Sequence, residues 1–138
     1  MRNIILSYDY EIFGDKSGTI EKTLIVPTNF LLNKMDELEI KGNFFIDYLM
    51  LKYLRKVDTE RTNRDIQLIE TQIKDIVRRG HRIELHLHPH WIDAQYNGDG
   101  TWNFQNYTHY ALSSLGESVV INMFKEGTAY LNNLAQEV

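Results

Sequence analysis

The sequence predicts an α/β fold made of parallel βαβ units. Three observations carry that reading: short apolar runs at residues 3–8, 43–46 and 82–87 that look like buried strands, stretches of helical period between them, and Gly42 and Gly80 placed where those helices should stop. Strands alternating with helices imply right-handed crossovers and a parallel sheet. In such sheets ligand sites form beyond the carboxyl ends of the strands, which here directs attention to Asp9 and to the histidines after residue 85.

The first run, at 3–8, is rich in Ile and Leu and delivers Asp9 to its C-terminal end. Residues 11–23, with Gly14, Asp15, Ser17 and Gly18, have no sustained period and read as a loop. Pro27 suits the first turn of a helix, along which Leu31, Leu32, Met35, Leu38 and Ile40 recur at helical spacing. The run at 43–46 is a second buried strand, followed by a short apolar helix at 48–54 and a charged connection at 52–64 that reads as solvated surface. A clearer helix follows from Asn63 or Arg64 to Arg79, with Ile66, Ile69, Ile73, Ile76 and Val77 on one stripe and Arg78 and Arg79 at its negative end. The third strand puts Ile83, Leu85 and Leu87 on one side and Glu84, His86 and His88 on the other. A long loop at 91–110 holds a tight turn at Asn97-Gly98-Asp99-Gly100, and a last helix starts near 113–117, with a break expected at Gly127.

A chain of 138 residues with 43% hydrophobic and 12% aromatic content has the material for one globular domain. A net charge of -4 gives no electrostatic reason to expect nucleic acid or an anionic membrane as partner. With no cysteine, a metal would be held by histidine and carboxylate, not thiolate. The N-terminal apolar run is too short for a signal-peptide core or a membrane span, so the expected compartment is the cytoplasm.

Three of the five histidines fall within five residues, at His86, His88 and His90. Imidazole is the usual nitrogen ligand for zinc and other divalent first-row metals. His86 and His90 converge on one ion if the chain turns at Pro89, whereas His88 shares a side with His86 only while the chain stays extended. A hydrolytic site of this kind also needs an acidic ligand and a general base, and Asp9 and Glu11, two residues apart past the first strand, can supply both. The loop aromatics Trp91, Tyr96, Trp102, Phe104, Tyr107 and Tyr110 offer faces for stacking on sugar rings, Trp91 and Trp102 foremost; packing of the loop onto the domain accounts for them equally well.

The segments at 6–14, at 42–45 and at 80–90, the last reading Gly-His-Arg-Ile-Glu-Leu-His-Leu-His-Pro-His, stand in an order and spacing similar to the NodB-like polysaccharide deacetylases, carbohydrate esterase family 4. The similarity spans about residues 3–91, and its strength lies in the combination of segments. The resemblance implies a distorted (β/α) barrel and hydrolysis of an acetyl group on a sugar or polysaccharide by metal-activated water. It implies Asp9 as catalytic base and His86 and His90 as metal ligands. Tyr10 stands where the family carries its metal-binding Asp, and divergent members use a second acid two residues after the first, which makes Glu11 the carboxylate ligand. His88 becomes a supporting donor or alternative ligand, and Leu87 takes the place of a Ser or Thr. Zinc is the expected ion, with binding that weakens as pH falls because protons compete for imidazole.

The resemblance covers less than half of a family domain, so the chain is expected to be its N-terminal part, truncated before the later motifs and prone to self-association through the open sheet edge. Two alternatives accompany this reading. One is a catalytically incomplete metal- or glycan-binding fragment. The other is a different His-x-His metal hydrolase, in which the motif ordinarily closes the first strand instead of the third.

Overall fold

The computed structural model describes residues 4–12 and 18–138. Asn3 of the first expected strand, and Phe13, Gly14, Asp15 and Ser17 of the expected motif and loop, lie outside the described residues. Strands β1 (Ser7–Tyr10), β2 (Asn43–Asp47) and β3 (Arg82–His86) form one parallel sheet in the order β1-β2-β3. The helices are α1 (Val26–Glu37), α2 (Tyr48–Val57), α3 (Glu60–Arg78) and α4 (Glu117–Gln136). A short antiparallel ribbon of β4 (Gln95–Tyr96) and β5 (Trp102–Asn103) stands in the long loop, closed by the turn at 97–100. The α/β class with parallel βαβ units is therefore what the chain adopts; three strands close no barrel among the described residues.

Register fixes which residues share a face. Ser7, Asn43 and Arg82 align across the sheet, as do Asp9, Phe45 and Glu84, and Asp47 lies opposite His86. Alternation then separates a face of Tyr8, Tyr10, Phe44, Ile46, Ile83 and Leu85 from a face of Ser7, Asp9, Phe45, Asp47, Glu84 and His86. Contacts from the helices fall on the first face. Met35 of α1 lies over Gly42 beside Tyr8, Gln72 of α3 bonds Tyr10, and α4 meets Leu85 at Gly127. The second face stays open along its lower part, where Ser7, Asp9 and Arg82 are exposed.

Several element boundaries differ from those read off the sequence. Ile4 and Ile5 are 85% and 79% exposed, since pairing begins where Asn43 N donates to Leu6 O at 2.9 Å and the chain before it runs past the end of its partner strand. Helix starts earlier than Pro27, in a π turn over Glu21–Ile25 that continues into α1. The wide turn lies beside Pro27, whose missing N–H interrupts the helical ladder. Helix α3 starts at Glu60, inside the stretch read as solvated surface, because Thr59 and Thr62 cap each other: Thr62 N donates to Thr59 Oγ1 at 3.2 Å and Thr59 N to Thr62 Oγ1 at 2.9 Å. No helix among the described residues is long and apolar enough to cross a membrane.

The expected break at Gly127 does not occur. Met123, Gly127, Leu131 and Leu134 form the buried stripe of α4, and Gly127 serves as the point of closest approach to the sheet. An added Cβ there would lie 2.6 Å from Leu85 Cδ1 and 3.1 Å from the Tyr48 ring. Gly127→Val should therefore destabilise the fold by about 1–3 kcal/mol through overpacking, although the substitution favours helix intrinsically. Denaturant melts check this; an unchanged midpoint would show that α4 does not dock as described.

Candidate metal centre

Glu11 follows directly on β1, and its position is set from the other side of the strand. Tyr10, 1% exposed, donates its hydroxyl to Gln72 Oε1 at 2.7 Å, and Gln72 Nε2 donates to Ile25 O at 2.9 Å and Asn29 Oδ1 at 2.6 Å. That network ties the end of β1 to α3 and to the π turn, and turns Glu11 to the opposite face. His86 closes β3 on the same face. The backbone remains extended through His88, at φ -109° and ψ 98°, so His88 stays on the side of His86 before Pro89 opens a 3-10 turn over Pro89–Ile92.

The three side chains meet. His88 Nε2 is 2.7 Å and His86 Nε2 3.4 Å from Glu11 Oε2, and the two imidazole nitrogens are 2.8 Å apart. Burial works against a charged His88, but the Glu11 carboxylate beside it, with the charges of Asp47 and Asp9, outweighs burial and holds its pKa above the ordinary value. Glu11 Oε2 is buried and faces both imidazole nitrogens as an ion-pair partner. Tetrahedral zinc with ligands at about 2.0–2.1 Å separates its donor atoms by about 3.3 Å. These groups fit such an ion after spreading by roughly half an ångström, and a carboxylate with two imidazoles is the donor set of a catalytic divalent ion.

The sequence reading named His86 and His90, with His88 as the alternative. The structure brings Glu11, His86 and His88 together and leaves His90 outside that group. The 3-10 turn carries the His90 ring into the loop core, 1% exposed, against Phe104, Trp91 and Tyr107, with its centroid 5.0 Å from that of His88. Burial, helped by the neighbouring His88, pushes its pKa down to about 4. Asp9 is exposed on the open face of β1, one step along the strand from Glu11. Residues two apart on a strand stand about 6.5–7 Å apart along the backbone.

Trp91 and Trp102 require correction as sugar-stacking faces. They are 0% and 3% exposed, packed edge to face at 4.9 Å, so neither ring can meet an external ligand; they are the core that seats the loop on the domain. Tyr107 and Tyr110 are the exposed aromatics of this loop, at 43% and 54%.

Two features were missed from sequence. Asp47, wholly buried at the end of β2, takes Leu49 N at 3.1 Å and His88 N at 3.3 Å on Oδ1, and Trp91 Nε1 at 2.6 Å on Oδ2. Burial pushes its pKa up to about 7, with the charge of Glu11 adding to the rise and His88 opposing it. The available signal was its position as N-cap immediately before the 48–54 helix. His109 is the second: its Nδ1 lies 2.8 Å from Asp93 Oδ1 and its backbone N donates to Asp93 Oδ2 at 2.8 Å, which fixes the imidazole in one orientation. The two residues are 16 apart in sequence, so no local pattern links them.

The burial of Trp102 makes a direct prediction. Trp102→Ala should lower stability by about 3–5 kcal/mol in chemical denaturation, as for a large core truncation. A loss below about 1 kcal/mol would restore a surface role for the ring.

No protein-family model, curated protein or solved structure matches this chain, so the reading of the site rests on its own geometry.

Proposed function

We propose that the chain binds a divalent ion, zinc first, through Glu11, His86 and His88, and forms the metal-holding part of a hydrolase of the polysaccharide deacetylase type acting on an acetylated sugar. The observation that carries this reading is the convergence of one carboxylate oxygen and two imidazole nitrogens at the carboxyl ends of parallel strands, within 4.8 Å of one another. The sheet order β1-β2-β3, with helix contacts on one face, is what the first three strands of a (β/α) barrel would have, and it supports the finer fold reading.

The bound ion would supply Lewis acidity toward an acyl oxygen and an activated water. Asp9 would accept a proton at its carboxylate from the water that attacks the acyl carbon. As the bond from the acyl carbon to the sugar nitrogen or oxygen breaks, Asp9 would return that proton to the leaving atom, giving acetate and the free amine or alcohol. Glu11 would be the carboxylate that holds the ion, and the Tyr10–Gln72 network holds the end of β1 that carries Glu11.

One observation favours a second reading, a metal-holding unit without turnover. Asp9 is exposed on an uncovered sheet face, whereas hydrolytic sites ordinarily exclude bulk water around the base.

Metal content and acetate release separate these readings. Zinc should bind the wild-type chain at one equivalent; His88→Ala should remove it and His90→Ala should leave most of it, and the opposite pattern would return the ligand role to His90. Asp9→Asn should abolish acetate release from an acetylated chito-oligosaccharide with zinc affinity unchanged. Zinc bound without any acetate release by the wild type would establish the second reading.

A further inference from the structure

We infer that Asp47 is a positioning residue for the metal centre, acting through the backbone of His88; this rests on the reading of His88 as a ligand. In the sheet Asp47 occupies the central strand at the level of His86, between the strand that supplies Glu11 and the strand that supplies the histidines. Its Oδ1 takes two backbone amides at once, Leu49 N at 3.1 Å and His88 N at 3.3 Å, and so couples the first turn of α2 to the residue that carries the ligand imidazole. Oδ2 takes the indole N–H of Trp91 at 2.6 Å, which locks the 3-10 turn that begins just after His88.

The two oxygens have separable duties. Oδ1 sets the peptide of His88 in the extended conformation that keeps its ring on the side of His86 and Glu11, and Oδ2 holds the following turn. If that peptide relaxed into the turn, the alternation would fail and the His88 ring would leave the cluster. Supporting groups of this kind typically change metal affinity by about 10–100-fold.

The test uses the full chain with zinc, by chelator competition, and with cobalt(II), by visible absorption. Asp47→Ala removes the acceptor from the His88 amide and should weaken zinc by about tenfold or more, with an altered cobalt spectrum. The double variant Asp47→Asn/Trp91→Phe keeps an amide oxygen for both backbone donors and removes the indole N–H that would face the new NH₂ group. It should bind zinc within about threefold of wild type, well inside that tenfold threshold, although the carboxylate charge is gone. Ile76→Ala, a buried α3 truncation at a residue that makes none of these bonds, controls for lost stability and should leave zinc affinity and spectrum unchanged.

Binding by Asp47→Ala within twofold of wild type would overturn the inference. So would a double variant as weak as the alanine variant, which would assign the effect to charge. If Asp47→Ala does not fold, the double variant decides alone, near-wild-type affinity supporting the inference and a tenfold loss overturning it. Failure of the wild type to bind zinc would bring down the metal reading itself, an outcome distinct from wild-type binding that Asp47 does not influence.

Discussion

A fully buried carboxylate joins three parts of this molecule. Asp47 ends the central strand, caps α2, holds the amide of His88 and receives the indole of Trp91. An unpartnered carboxylate at 0% exposure would be strongly unfavourable, so the surrounding chain has to bring donors to it. The donors come from α2, from the segment after β3 and from the aromatic loop core, and the requirement to satisfy one side chain therefore fixes how all three meet at the upper end of the sheet. Burial and the nearby Glu11 press Asp47 toward its neutral form, and the charge of His88 with the Trp91 and His88 N–H donors presses the other way.

The aromatic core of the long loop depends on that tie. Trp91 packs on Trp102 and Phe104, and His90 fills the space beside them, so a twenty-residue connection that looked irregular in sequence becomes a packed lobe around a two-stranded ribbon. The lobe borders the cluster through His90 and leaves Tyr107, Tyr110 and the Asp93-bound His109 on its outer side. On the opposite flank, Gln72 secures Tyr10 and through it Glu11. Each half of the cluster is thus held by a buried polar contact made to a different element.

Much of the fold was legible because its signals are local. The apolar runs and the stops at Gly42 and Gly80 mark the strands and helices, and the alternation of β3 puts Glu84 and His86 on one face as expected. Less legible were features decided by partners far away in sequence. Ile4 and Ile5 look like strand core but lie beyond the reach of β2. Gly127 looks like a helix break but is a contact with Leu85 and Tyr48. At the site, the residues at 86, 88 and 90 permit either an extended or a turned path. The backbone takes the extended path for one more residue than the turn at Pro89 suggested, which selects His88 beside His86 and sends His90 into the loop core. The pairing of Asp47 with His88 spans 41 residues, and no pattern in the sequence announces it.

Anomalous diffraction at the zinc edge from zinc-soaked crystals decides whether Glu11, His86 and His88 form one divalent-metal centre. A single strong peak is expected at about 2.0–2.1 Å from Glu11 Oε2, His86 Nε2 and His88 Nε2, with the His90 ring still in the loop core. A peak coordinated by His90 in place of His88, or no peak at the ends of β1 and β3 at saturating zinc, would contradict it.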